Sequence, residues 1–166
     1  MTTNKKKVLI LIRHAKSSWD YDVSDMKRPL KQRGVSDAAL VSNYLKGYVL
    51  TPNVIICSPS KRTQETAKIF IDNWGFNKVE FKLINDVYDF SGSDALKVIQ
   101  SCDDNIQCLM VFGHNNALTT IANNLGNEYI DNLTTSGYVE LHFETSSWAN
   151  LSLGETKKIV FPKHLK

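Results

Sequence analysis

Uninterrupted apolar blocks of four or five residues alternate along this chain with stretches in which apolar residues return every three or four positions. Val8-Leu9-Ile10-Leu11-Ile12 is the first block, Val54-Ile55-Ile56-Cys57 the second and Cys108-Leu109-Met110-Val111-Phe112 a third. Continuous β-branched and leucine runs suit strands buried on both faces, as in a parallel sheet. Residues 79–84 alternate apolar with polar and predict a weaker strand. Between the blocks the spacing turns helical. Val35, Ala38, Val41, Ser42, Leu45 and Tyr48 share one stripe. Thr63, Thr66, Ala67, Phe70 and Trp74 share another, with Gly75 as its stop. Ser58-Pro59 offers that second helix a candidate N-cap and first-turn proline. Ser93 is a candidate cap for a short helix reaching Gln100, and residues 116–125 form a further helix ended by Gly126. Residues 138–143 and 156–161 read as strands joined by a Ser/Asn/Gly loop.

Four strand–helix units followed by two strands predict an α/β fold, a three-layer α/β/α sandwich with a mostly parallel central sheet. No repeat, low-complexity segment or Pro/Gly-rich linker breaks the pattern, so residues 1–166 read as a single domain. About two dozen residues separate the third and fourth strands. That is room for one short helix and no large lid insertion.

Composition mainly excludes. Hydrophobic residues are 42% and charged residues 22%, ordinary values for a globular chain. The net charge is +3 with no basic stripe, which argues against nucleic acid as a partner. No apolar run approaches the ~20 residues of a membrane span. The block after Lys5-Lys6-Lys7 is too short for a signal-peptide core, and Lys5–Lys7 reads as a solvated start. The expectation is a cytoplasmic protein with no membrane partner. Cys57, Cys102 and Cys108 form no CxxC and no zinc-ligand spacing, so they read as reduced packing residues.

The candidate chemistry sits where strands end. The first strand runs into Arg13-His14-Ala15-Lys16-Ser17, the second into Ser58-Pro59-Ser60-Lys61-Arg62, and the fourth into Gly113-His114-Asn115-Asn116. Ligands of open parallel sheets bind at the carboxyl ends of the strands. Two arginines and two histidines converging there make an anion site, because guanidinium forks match phosphate oxygens. Phosphoryl transfer is mostly positioning and charge neutralisation. A neutral histidine in line with phosphorus can serve as the nucleophile. Flanking arginines favour that neutral form. The second histidine, protonated or donating, can hold the equatorial oxygens, while a carboxylic acid protonates the leaving group and later activates water.

These residues also carry a family resemblance. Leu11-Ile12-Arg13-His14-Ala15 resembles the RHG motif of the histidine phosphatase superfamily, with Ala15 where Gly is usual. Cys57-Ser58-Pro59-Ser60-Lys61-Arg62-Thr63-Gln64-Glu65-Thr66-Ala67 resembles its second arginine motif, with Thr63 where Ala is commoner. Gly113-His114-Asn115 resembles its second histidine motif. Lys16-Ser17-Ser18-Trp19-Asp20, Ser24-Asp25-Met26-Lys27-Arg28-Pro29-Leu30 and Arg33-Gly34 are similar to the small SixA-type phosphohistidine phosphatases. The resemblance implies a phosphoglycerate mutase-like fold, with His14 as phosphorylated nucleophile and Arg13, Arg62 and His114 as the rest of the phosphate pocket. It implies Asp25 as general acid in the SixA branch. Other branches draw the acid from after the third strand, where Asp86 and Asp89 lie. Arg28 then binds substrate or orients the Asp25 loop, and Ser17 is a loop donor to phosphate. Trp19 carries no assignment beyond the rim.

The implied activity is a metal-independent, cofactor-free phosphatase acting on phosphohistidine of a protein, such as a histidine-phosphotransfer domain, or on a small phosphoester. The alternatives are a small-metabolite phosphatase or phosphoglycerate mutase-like enzyme, a metallohydrolase built on His14, His114 and carboxylates, and a non-catalytic phospho-binding module. Arg13 and Arg62 oppose the metallohydrolase, since they would repel a dication.

Overall fold

Residues 5–166 are described by a computed structural model of the chain. Among them lie six strands and four α-helices: β1 (Lys6–Arg13), α1 (Gln32–Leu45), β2 (Val54–Cys57), α2 (Lys61–Trp74), β3 (Glu80–Leu83), α3 (Ser93–Gln100), β4 (Cys108–Gly113), α4 (Ala117–Leu125), β5 (Tyr138–Glu144) and β6 (Glu155–Val160). The sheet order is β3-β2-β4-β1-β5-β6. The first four strands of that order pair in parallel; β5 and β6 are antiparallel additions.

The continuous apolar runs became the central strands, and alternate residues feed two cores. Leu9 and Leu11 of β1 face Ile99, Leu118 and Ile121 of α3 and α4. Ile10 and Ile12 face Val41, Leu45, Ala67 and Phe70 of α1 and α2. Helices therefore cover both faces, as expected for a mostly parallel sheet. At the edge, β3 is exposed along its length, in keeping with its weak alternating signal. Only a 3₁₀ turn and the eight-residue α3 separate β3 from β4, so no lid domain stands over the sheet.

Local starts and stops differ from the sequence reading in informative ways. Gly75 ends α2 at φ 76°, as its position predicted. The N-cap of α2 is Ser60 rather than Ser58. Its hydroxyl accepts from the Thr63 amide, which releases Ser58 for another partner. Ser93 is the first residue of α3 and not its cap; the buried Asp89 carboxylate takes the Gly92 and Ala95 amides instead, at 3.0 Å each. Val35 is exposed and Tyr48 lies beyond the end of α1, so that stripe is narrower than predicted. Lys7 is fully buried, with Nζ donating to the Asp104 carbonyl, so the basic start is not wholly solvated.

Candidate active site

The site exists because β1, β2 and β4 end together. Arg13 of β1 stands in register with Gly113 of β4, and Cys57 of β2 with Phe112. The residues that follow, His14, Ser58 and His114, are thereby delivered to one rim. The His14 amide donates to the Gly113 carbonyl at 3.1 Å, and the Ser58 amide to Phe112 at 3.1 Å, extending the ladder to the site itself. Ser136, in the left-handed region at φ 62°, donates its amide to the carbonyls of both Arg13 and His14. Ala15, which departs from the family motif, is buried. Its amide donates to Thr66 Oγ1 at 2.8 Å, and that hydroxyl donates onward to the Arg62 carbonyl at 2.7 Å. No positive φ is demanded of Ala15, so the methyl group is accommodated.

The structure brings together Arg13, His14, Ser17, Asp25, Arg28 and Arg62 around a cleft of about 290 Å³, with His114 behind. The His14 and His114 ring centroids are 5.3 Å apart. His14 Nδ1 lies 2.7 Å from the Ala15 carbonyl. A carbonyl only accepts, so the proton sits on Nδ1 and Nε2 keeps its lone pair. Arg62 Nε donates towards that Nε2 at 3.4 Å. The same guanidinium reaches His114 Nδ1 at 3.5 Å through Nη2. This places the His114 proton on Nε2, which meets Ser58 Oγ at 2.8 Å and Thr63 Oγ1 at 3.4 Å.

Both imidazoles are held neutral. Burial, the largest cause, together with the neighbouring His114 ring and the charges of Arg62 and Arg13, pushes His14 down to about 3 against the opposing pull of its carbonyl partner. Burial and then Arg62 push His114 down to about 3 as well. His114 is therefore a neutral, oriented ring, and of the two forms expected from sequence the protonated one is disfavoured. Arg13 is lowered from its ordinary value by burial and by Arg62. Its Nη1 donates to the Leu133 carbonyl at 3.0 Å. Among the described residues Arg13 Nε and Ser136 Oγ are buried polar atoms without a hydrogen-bond partner.

Of the three candidate acids, only Asp25 enters the cleft. Its carboxylate accepts from Arg62 Nη2 at 2.9 Å, Arg28 Nη1 at 3.0 Å and the Tyr88 hydroxyl at 2.5 Å. Burial alone would raise its pKa; Tyr88, Arg62 and Arg28 outweigh that and hold it at about 2. Asp89 is occupied by the α3 amides and by Ser91. Asp86 borders a separate groove, lined also by Lys97 and Cys102, on the outer part of the sheet.

Arg28 lines the cleft and holds the Asp25 loop through an ion pair with its carboxylate. Its Nε donates to the Ser18 carbonyl at 3.1 Å and its Nη2 to Ser17 Oγ at 2.5 Å. Ser17 is thus an acceptor for Arg28 as well as a wall of the cleft. Trp19, unassigned from sequence, lies across the Arg28 guanidinium at 3.2 Å.

Sequence reasoning gave Tyr88 and Ser58 no part in the site and read Thr63 only as a helix residue that departs from the motif. Thr63 is buried, 2.6 Å from Ser60 Oγ, and helps seat His114. Its position one residue after Arg62 was a usable signal; for Tyr88 the sequence held none. Among the described residues, no group of three or more His, Cys, Asp or Glu side chains is placed to hold a metal ion, and no helix is long and apolar enough to cross a membrane.

Comparison with known proteins agrees with this fold. A sequence model of the histidine phosphatase superfamily (branch 1) matches residues 9–89. An uncharacterized chloroplastic protein of Arabidopsis thaliana is 30% identical over 158 residues, covering 89% of this chain and 71% of that one. Among solved structures, one described as phosphohistidine phosphatase SixA from Nakamurella multipartitia superposes with TM-score 0.80 at 20% identity, covering 95% and 96% of the two chains. The protein histidine phosphatase SixA complexed with tungstate superposes with TM-score 0.78 at 19% identity, covering 96% and 99%.

Proposed function

The chain belongs to the histidine phosphatase superfamily, and from that premise we propose that it is a phosphatase that hydrolyses phosphohistidine on a protein through a phosphorylated His14. The observation that carries the substrate half of this reading is the Asp25 carboxylate, which accepts from Tyr88, Arg62 and Arg28 together and so meets the substrate ionised, with no proton to give. A carboxylate so strongly held is a poor proton donor. An alkyl phosphoester needs such a donor, because an alkoxide leaves badly. The imidazole of phosphohistidine does not: once its second ring nitrogen is protonated, it leaves as a neutral molecule.

In the first step His14 Nε2 attacks phosphorus in line, and the bond from phosphorus to the substrate ring nitrogen breaks with its electron pair going to that nitrogen. Arg62 and Arg13 neutralise the charge on the equatorial oxygens. The neutral His14 needs no prior deprotonation, and its Nδ1–H stays anchored on Ala15 while the ring gains positive character. In the second step a water oxygen attacks phosphorus, Asp25 takes the water proton, and the bond to Nε2 breaks to release inorganic phosphate and neutral His14. Tungstate held by a similar fold supports a phosphate-shaped pocket.

The test is a rapid alkaline quench of the full chain with a phosphohistidine-bearing protein, EDTA present, followed by intact mass and fragmentation. One added phosphoryl group on His14 is expected, and none in His14→Ala. Turnover by His14→Ala at a rate near that of the natural chain would overturn the mechanism. Equal kcat/KM for phosphohistidine and a primary alkyl phosphate would overturn the substrate class and leave the phosphatase.

A further inference from the structure

The cleft above His14 is built mostly from charged and hydrogen-bonding groups, and these account for a phosphate. Two of its walls do not. Trp19 and Phe90 are large aromatic side chains that both border the cleft. Both remain exposed, Trp19 at 77% and Phe90 at 45%. Each ring has a partner on one side. The Trp19 indole lies on the Arg28 guanidinium at 3.2 Å, and Arg28 is itself pinned by Ser18, Ser17 and Asp25. The Phe90 ring packs 5.0 Å from Tyr88 and 4.9 Å from His114, both of which are hydrogen-bonded. Each aromatic is therefore oriented from behind by a residue of the phosphate machinery, Trp19 on the Arg28 side and Phe90 on the His114 side, with its remaining surface open.

We propose that Trp19 and Phe90 are specificity-determining residues that select a phosphate borne directly on a flat, unsaturated ring over one borne on a saturated carbon. This rests on the phosphatase reading above. With phosphorus beside His14 Nε2, a leaving group seated in this cleft has Trp19 and Phe90 among its walls. A ring attached to phosphorus, directly or through one oxygen, presents two π-faces there, and aromatic pairs favour stacked or edge-to-face contact beyond what area alone provides. A tetrahedral carbon has no such face to offer. The shared chemistry is a planar ring, whether imidazole or phenol.

The experiment uses the full chain and competitive inhibition by phenylphosphonate and cyclohexylphosphonate, which have the same ring size and differ in flatness. Orthovanadate, which reads the phosphate pocket alone, is run beside them. The natural chain should bind phenylphosphonate about fivefold more tightly than cyclohexylphosphonate, a typical aromatic-pair effect. Combining Trp19→Leu with Phe90→Leu should bring that ratio to about one while the orthovanadate constant stays within about twofold; Trp19→Phe should keep most of the preference. Phosphoimidazole and phenyl phosphate turnover distinguish the two ring sources: kcat/KM should fall in the double variant for both, and a fall confined to one assigns the slot to that ring. A ratio near one in the natural chain, or an unchanged ratio in the double variant, overturns the proposal. So does equal weakening of both phosphonates and orthovanadate, because Trp19 would then act only by positioning Arg28. Failure of orthovanadate to inhibit the natural chain would bring down the phosphatase reading and this one with it.

Discussion

Asp25 holds Arg62 by two contacts, its carboxylate on Nη2 at 2.9 Å and its own backbone carbonyl on Nη1 at 2.7 Å. The guanidinium edge that would fork a phosphate is therefore engaged by a carboxylate of the same chain. On the proposed mechanism, substrate phosphate and Asp25 would compete for one cation. A phosphate that wins leaves Asp25 beside a dianion and with less of Arg62, and both changes raise its affinity for a proton. This exchange would make Asp25 a better base for the second step once the phosphate is bound.

Asp25→Asn removes the competitor's charge. Orthovanadate should bind roughly tenfold more tightly, the scale of one charge-assisted hydrogen bond. Breakdown of the phosphorylated enzyme should slow at the same time. Weaker orthovanadate binding in this variant would mean that Asp25 supports the pocket and does not compete for it.

Arg62→Lys keeps the charge and loses the fork. One guanidinium spans His14, His114 and Asp25, and an ammonium cannot reach all three. kcat/KM for a phosphohistidine substrate should fall by about 10²–10³, as for loss of a preorganised donor. Activity within a few-fold of the natural chain would show that charge alone suffices.

The lowered histidine pKa values set a pH dependence of stability. His14 and His114 sit at about 3 in the folded chain, against about 6.5 when unfolded. Between those values the unfolded chain binds the extra protons, so stability falls as pH drops through that window. Each histidine should account for on the order of 2 kcal/mol between pH 7 and pH 5. Urea denaturation across that range checks the sign, and replacing both histidines by Gln should flatten the slope. Imidazole titration by NMR with a midpoint near 6.5 in the folded chain would contradict it.

Gly34→Ala should unfold the site from a distance. A β-carbon at Gly34 would stand 2.2 Å from the Lys16 carbonyl oxygen, a backbone atom that already accepts from the Lys31 amide. The start of α1 and the segment after His14 must part. Both the melting temperature and kcat should drop, by several degrees and at least tenfold, as expected for a core overpacking of about 1–3 kcal/mol. An unchanged melting temperature would show that the loop yields freely.

The strands were legible because the central stretches of β1, β2 and β4 are buried on both faces and so run unbroken through apolar residues. His14, Arg62 and His114 were legible because each directly follows or closely trails such a strand, where a parallel sheet gathers its loops. The rest depended on contacts that sequence spacing does not encode. Asp25 meets Arg62 thirty-seven residues away and Tyr88 sixty-three away, so neither the low pKa of Asp25 nor the part played by Tyr88 was readable. Ser58 looked like a helix cap because Pro59 follows it, yet Ser60 caps and Ser58 seats His114. Trp19 looked uninformative because its partner, Arg28, lies across a loop.

The in-register pairing of Arg13 with Gly113 has a kinetic consequence. Residues 13 and 113 are a hundred positions apart, and a slip of one residue would move His14 by about 3.3 Å and turn it to the other face. A collapsed state with helices but without this register would carry every residue of the site and could not assemble it. Enzymatic activity should therefore return only in the slowest refolding phase, after circular dichroism has recovered, which makes catalysis a clock for the closing of the sheet.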